Sequence, residues 1–399
     1  MRHNNRYRNR ADLSIAHGSL TNSKRPSSFV DGVYPTHMQR GLGCYLWDED
    51  GKKYIDYICG LGTNLFGYGN ASITAACSRA LSYGAVLSFS STEEVELAEL
   101  IQSHFPYMER VRFLKSGSEG CSAAVRIARA FTGRNMILTD GYHGWHDDFI
   151  SDKPPAIGIP KRTWVNPKRY YLERDNIAAI IFEPIITDLS EERINWIKEQ
   201  MDVAKKHGYL VIFDETITGY RLPRGSFASY SGLNPDIAIM GKAVAGGLPL
   251  SIVGGREDVM NCDYFVSSTW AGDRVAISGA LAAHKLLMSD HTPKDLWNKG
   301  RIFLDEFNSI NPSVISIQGY PTRGVLVGGS EESKNLFMQE MCRAGVLFGA
   351  SWFYNKYLHE EMDTVINIAK SVIGRIERNE IRLLGKPMAS PFSNTIRKH

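Results

Sequence analysis

The residues best placed to do chemistry fall in one stretch, VIFDETITGYRLPRGSFASYSGLNPDIAIMGKAVAGG (211–247). Two apolar runs there end on polar groups: VIF delivers Asp214 and IAIMG delivers Lys242. Taken singly, a lysine after an apolar run is a solvated strand end, and Asp-Glu after VIF is a polar turn. Taken together, at the carboxyl ends of strands where α/β folds bind ligands, they have a second reading. A lysine among apolar neighbours has a lowered pKa and can form a Schiff base with a carbonyl, and an acid can hold a proton on a ring nitrogen. That reading needs a phosphate site and a parallel sheet.

A phosphate site is available in VRFLKSGSEGCSAAVRIARAFTGR (111–134). It reads as a strand, a Ser-Gly-Ser turn and a helix whose Ala124, Ile127, Ala128 and Phe131 recur at helical spacing. Ser116, Gly117 and Ser118 then lie at a helix N-terminus, where free N–H groups and the dipole attract anions; plain capping by Ser118 is the alternative. After the run MILT comes GYHGWHDDF (141–149). Tyr142 offers a flat ring. His143 and His146 have the spacing of a ligand pair, but no third ligand is placed, and no metal is expected.

The elements that must position these residues alternate. MILT (136–139), AAIIF (178–182), YLVIF (209–213), IAIM (237–240) and SIVG (251–254) are strand-like, with a helix over about 190–206 and another over 276–290. Such alternation predicts a mainly parallel sheet covered by helices. Before it, CYLWDEDGKKYIDYI (44–58) reads as a hairpin with a D-G turn, and 71–83 and 92–104 read as helices. The glycine-rich GLGTNLFGYGN lacks dinucleotide spacing, and Gly241-Lys242 is followed by alanine, so neither a dinucleotide site nor a Walker motif is present. From Leu304 onward a strand at 323–329 and helices near 331–344 and 359–378 suggest a smaller unit. We expect an N-terminal arm (1–40, irregular over 11–40 with a short helix), a small domain built from 41–70 and 301–399, and a large domain over 71–300.

Composition excludes several classes. With 43% hydrophobic and 22% charged residues over 399, disorder is not expected outside the ends. A net charge of +3 does not call for nucleic acid, and Arg2, Arg6, Arg8 and Arg10 read as a solvated tail. No apolar run is long enough for a membrane span, and MRHNNRYRNR has no signal-peptide core, so a cytoplasmic protein is expected. The six scattered cysteines make neither a disulfide framework nor a zinc ribbon.

Six motifs in order, GLGCYLWDEDGKKYIDY (41–57), KSGSEGCSAAVRIARAFTGR (115–134), GYHG (141–144), IIFEPI (180–185), FDETITGYR (213–221) and MGKAVAGGLPLS (240–251), together resemble the class III aminotransferases of pyridoxal phosphate fold type I. Within that family the likeness is nearest to the glutamate-1-semialdehyde aminomutases. The resemblance implies an α/β large domain with a mainly parallel, seven-stranded type of sheet, and a smaller α+β domain made from the two chain ends. It implies pyridoxal 5'-phosphate bound to Lys242 as a Schiff base, with Lys242 also shuttling a proton. Asp214 would hold the pyridine nitrogen protonated, Tyr142 and Thr216 would lie on the two ring faces with His143 nearby, and Ser116, Gly117 and Ser118 would bind phosphate. Glu183 would set the catalytic geometry, and Thr269 would complete the phosphate site of the other subunit of a homodimer.

The departures concern the substrate. Thr216 replaces the family's usual valine, AGDR with Asp273 and Arg274 replaces S-G-N-P, and GVYPTHMQRG has Thr36 and His37 near the place of a carboxylate-gripping arginine, with Arg40 displaced. The segment between GYHG and IIFEP also looks short. The expected activity is amino transfer from a small-molecule donor to a keto or aldehyde acceptor. Aminomutation within one substrate, or decarboxylation and other carbanion chemistry, are the alternatives, because the cofactor stabilises a carbanion whichever bond breaks. A non-catalytic domain would be expected to have lost the lysine or the acid.

Overall fold

The structure, a computed structural model, describes residues 6–151, 156–159, 163–164, 174–289 and 292–389. The chain divides into two compact units, Met1–Asn70 with Asp295–His399, and Ala71–Lys294. Arg2 and most of the segment between GYHG and IIFEP lie outside the described residues.

The first unit opens with α1 (Arg6–Ser14), so the basic run is helical, with Arg6 and Arg10 exposed and Arg8 half-buried. Arg8 is tied down by donating from Nη1 and Nη2 to the Asp31 carboxylate at 2.5 and 3.0 Å. Three single 3-10 turns within 16–28 follow, and then β1 (Met38–Leu42), β2 (Tyr45–Asp48) and β3 (Lys53–Asp56), paired antiparallel in that order. The D-G turn forms because Asp48 Oδ1 accepts from the N–H groups of Asp50 and Lys52 at 3.0 and 2.8 Å, while Gly51 takes a φ of 82°. A distorted turn, α2 (Cys59–Gly62), ends this part, with Gly60 and Leu61 both left-handed.

The second unit holds α3 (Ala71–Ser82) and α4 (Thr92–His104), the latter started by Glu94, whose carboxylate accepts from the Ser91 N–H at 2.8 Å. Next come β4 (Arg110–Leu114), α5 (Gly117–Thr132), β5 (Met136–Asp140), β6 (Thr163–Trp164), β7 (Ile177–Phe182), α6 (Glu191–His207) and β8 (Leu210–Glu215). The unit closes with α7 (Phe227–Ser231), β9 (Ile237–Met240), β10 (Ser251–Gly255), α8 (Glu257–Met260) and α9 (Arg274–Ser289). The strands form one seven-stranded sheet in the order β4-β10-β9-β8-β7-β5-β6. Six strands run the same way, and only β10 is antiparallel to its neighbours β4 and β9.

Every residue of β7, β8 and β9 is buried, as expected for strands covered on both faces. The apolar face of α5, including Cys121, Ala124, Ile127 and Ala128, packs on this sheet. Helices α5 and α6 each end at a left-handed glycine, Gly133 and Gly208. Among the described residues no helix is long and apolar enough to cross a membrane.

The remaining elements are α10 (Thr292–Ile310), β11 (Ile315–Tyr320), β12 (Arg323–Gly328), α11 (Glu331–Arg343), β13 (Val346–Leu347), β14 (Ser351–Phe353) and α12 (Met362–Glu377). Strands β11, β12 and β14 make a three-stranded antiparallel sheet, and β13 joins β3 in parallel. Stacked rings fill this unit's core, Tyr57 lying 5.0 Å from both Phe303 and Phe348, and Phe303 5.5 Å from Trp352.

Candidate active site

Five loops carrying the candidate residues leave the same edge of the seven-stranded sheet, after β4, β5, β7, β8 and β9. Asp214 is the second-last residue of β8 and is 4% exposed. Its Oδ2 accepts from His143 Nδ1 at 2.9 Å and from Cys121 Sγ at 3.3 Å, and its Oδ1 accepts from the Thr216 N–H at 3.1 Å. Burial alone would raise its pKa. The His143 hydrogen bond and charge, with the Thr216 bonds, more than offset that, so the pKa is lowered and Asp214 stays ionised.

Cys121, His143 and Asp214 bring three ligating atoms within 4.8 Å of one another. Their mutual hydrogen bonds already account for this cluster. The two histidines of GYHGWH diverge: His146 Nδ1 lies 3.1 Å from Ser122 Oγ, not near His143's partner.

Lys242 follows Gly241 at the end of β9 and has a left-handed backbone, φ 49°, an uncommon and costly state for a residue with a side chain. Desolvation lowers its pKa, against the raising influence of Asp214 and Glu183, and Arg221 adds to the lowering. Arg221 is fully buried in the turn that follows Asp214.

At the start of α5 the capping hydroxyl belongs to Ser116, whose Oγ accepts from the Glu119 N–H at 3.2 Å; Ser118 is not the cap. The first N–H groups of this 16-residue helix, at Gly117 and Ser118, have no acceptor within the helix. A Cβ on Gly117 would lie 2.8 Å from Thr216 Cγ2, and one on Gly144 would lie 2.2 Å from Ser118 Oγ. The β8 and β5 loops therefore close on the helix start, and only glycine fits at either contact.

Glu183 is 7% exposed, and its Oε2 accepts from the Tyr142 N–H at 3.2 Å. Arg193 braces this corner by donating to Asp140 Oδ2 at 2.5 Å and to the carbonyls of Pro184 and Glu183 at 3.0 and 3.2 Å. Tyr142 is 54% exposed. Thr269 is exposed on the loop before α9 and, among the described residues, makes no hydrogen bond to this cluster. The neighbouring AGDR has structural work: Asp273 accepts from Lys115 Nζ at 2.8 Å and from the Val275 N–H at 3.0 Å. Arg274 pairs with Glu93 and donates to the carbonyls of Tyr83 and Gly84.

Sequence reasoning missed Cys121, Arg193 and Arg221. Cys121 lies on the α5 face that the Ala124, Ile127, Ala128 periodicity turns inward, so its burial was readable and its partner was not. For the two arginines no local signal separates a braced side chain from a solvated one.

Comparison with known proteins agrees with this geometry. The family model for the class-III aminotransferases matches residues 29–155 and 166–354. The chain is 35% identical to a glutamate-1-semialdehyde 2,1-aminomutase of Symbiobacterium thermophilum over 68% of this chain and 69% of that protein. It is 30% identical to one of Syntrophobacter fumaroxidans over 89% and 94%. The fold is similar to that of the FumI protein of Sphingopyxis sp. MTA144, solved with pyridoxal phosphate (PLP), with a TM-score of 0.86 and 20% identity over 96% of this chain and 98% of that one.

The residues present fit that cofactor. The helix start carries a glycine, Gly117, where a Cβ would crowd the Thr216 side chain. Among the described residues Thr216 Oγ1 and His143 Nε2 are buried without a hydrogen-bond partner, and an ionised carboxylate stands near an easily neutralised amine. Sequence, fold and site thus agree that the chain belongs to the class III aminotransferases, enzymes whose cofactor is pyridoxal phosphate.

Proposed function

We propose that the protein moves an amino group from a small-molecule donor to a keto or aldehyde acceptor, using the cluster around Asp214 and Lys242. When bound, pyridoxal phosphate supplies an electron sink for charge developing on a substrate carbon. Backbone N–H groups of Gly117 and Ser118 bind the phosphate, in a turn that the Ser116 cap holds. Asp214 keeps the ring nitrogen protonated, while His143 and Cys121 hold Asp214 in position. Tyr142 and Thr216 are the residues that would line the place of the cofactor's ring. Lys242 is the attaching amine, and its Nζ carries the proton to and from the substrate carbon. Glu183 fixes the Tyr142 turn by accepting its N–H.

The observation that carries this reading is the pairing of a carboxylate kept charged with an amine kept easily neutral, both pKa values being lowered. The test is a donor screen on cofactor-loaded protein. A donor should bleach the absorbance of lysine-bound cofactor, and borohydride added before the donor should label Lys242. Loss of neither signal to a broad donor panel, or no label, rejects the reading.

The curated relatives are aminomutases, which favours as a second reading the movement of nitrogen within one substrate. A keto product released from the donor separates transamination from it.

We also propose a cytoplasmic homodimer in which Thr269 reaches the partner's phosphate site. Support comes from exposed apolar residues close to Thr269 in the chain or tied to its loop, Phe265 and Trp270 beside it and Tyr83 and Leu87 near the Arg274 bonds, and from six unpaired cysteines.

A further inference from the structure

A cavity of about 870 Å³ lies wholly within the unit that does not contain Lys242. Its volume falls in the range of small-molecule sites, about 300–1,000 Å³. Its walls come from the last turn of α11, one face of α12, Lys52 just before β3, and the turn at residues 32–33. The charges around it do not balance. Among the described residues that line it, Glu340 is the one acid, against Lys52, Arg343 and Arg375. Three cations against one carboxylate leave two positive charges over.

Glu340 is buried and its carboxylate is fully used. Oε1 accepts from Arg343 Nη1 at 2.8 Å and from Gln339 Nε2 at 3.1 Å, and Oε2 accepts from Arg375 Nη1 at 3.0 Å. Burial would raise its pKa, but these bonds outweigh it and Glu340 stays ionised. Each guanidinium gives the carboxylate only Nη1, so both keep further N–H donors unused among the described residues, and both side chains are partly exposed. Lys52 Nζ donates to the carbonyls of Cys342 and Arg343 at 3.5 and 3.4 Å and, among the described residues, to no carboxylate. Helix α12 adds neutral donors. Asn367, Ser371 and Arg375 recur at i, i+4 and i+8, so they form one row along the helix, and all three line the cavity. The side chains of Asn367 and Ser371 make no hydrogen bond among the described residues. Ile368 and Leu384 supply apolar wall, and Leu384 is left 66% exposed.

We propose that this cavity binds a phosphate monoester, its dianionic head held by Arg343, Arg375 and Ser371 and its apolar body resting against Ile368 and Leu384. Two surplus positive charges match a dianion, and guanidinium N–H groups match phosphate oxygens. Held on the two oxygens of one carboxylate, the two guanidiniums stand close enough together to meet one compact head, not the separated ends of a dicarboxylate. The proposal is independent of the roles given to the Lys242 cluster.

The test is calorimetric titration of the full chain loaded with its cofactor, at about pH 8, where a phosphate monoester is a dianion. Phenyl phosphate is the probe. Phenyl sulfate, a monoanion of similar shape, and inorganic phosphate, which has no body, are the controls. Phenyl phosphate should fill one saturable site per chain, and both controls should bind about tenfold or more weakly. Arg375→Gln removes a charged donor and Ser371→Glu adds a like charge to the row; each should weaken phenyl phosphate about tenfold or more, the loss expected for a charge-assisted hydrogen bond. No saturable binding to the wild type, controls that match the probe, or an unchanged affinity in either variant would each overturn the proposal. If Arg375→Gln does not fold, Ser371→Glu decides, since Ser371 is exposed on α12: weakened binding supports the site, and unchanged binding overturns it.

Discussion

Thr216 is wedged between the two glycines that begin the halves of the site: a Cβ on Gly117 would come 2.8 Å from its Cγ2, and one on Gly241 would come 3.1 Å from the same atom. Gly117→Ala should therefore cost about 1–3 kcal/mol through overpacking. It should also weaken cofactor binding. Adding Thr216→Ala should recover part of both losses, because the next atom, Thr216 Cβ, is 3.5 Å from the new methyl. Thermal unfolding and cofactor dissociation constants for the two single variants and the double variant check this. Simple additivity would count against it.

Asp214 has a folded-state pKa below its ordinary 3.8, owing to His143 and Thr216 prevailing over burial. Its contribution to stability is present above that value and is lost as pH falls through the folded pKa. His143→Phe removes a bond to a buried carboxylate and should cost about 1.5–3 kcal/mol at neutral pH. The deficit should shrink in acid, where Asp214 is protonated in both proteins. Urea midpoints measured from neutral pH to below 3.8 report the trend.

Glu215 titrates the other way. Burial raises its pKa from 4.5 to about 7, although Phe227 and Ala228 N–H groups and the Thr218 hydroxyl bond to the carboxylate. An acid whose folded pKa is raised binds its proton more tightly in the native state, so stability falls as pH rises from 4.5 through about 7. The full effect is roughly 3 kcal/mol. Glu215→Gln should flatten this slope in denaturant midpoints across that range, while leaving the Asp214 acid limb in place.

Shared sites would make Lys242→Ala and Thr269→Ala complementary. Each homodimer should be impaired, the second through a cofactor affinity lower by about tenfold. A mixed dimer would have one site with both defects and one intact site, so mixing the inactive and impaired proteins should restore activity. If Thr269 served its own subunit, both mixed sites would be defective and mixing would restore nothing.

Much of the site was legible because it depends on local patterns. The strand that ends on Asp214, the strand that ends before Lys242 and the helix that begins at Gly117 each follow from apolar periodicity, and their order carries the family. What was not legible depends on pairing between distant residues. Nothing in Ser116-Gly117-Ser118 says which hydroxyl caps, because both precede N–H groups of the same turn, and the chain's path selects Ser116. Asp273 and Arg274 read as a departure relevant to substrate, yet their partners Lys115 and Glu93 are more than 150 positions away. Among the basic first residues Arg6 and Arg10 are exposed as a solvated run would be, but Asp31 gives Arg8 a partner that no charge count reveals.

The reversed strand β10 has a consequence for how this enzyme can change over evolutionary time. Because it lies between β4 and β9, helix α5 and the lysine leave the sheet two inter-strand steps apart, about 10 Å. That interval is a property of strand count, which no point substitution can stretch or shrink. Selection for new substrates is left with the side chains at the rim of a gap whose width the backbone has already decided.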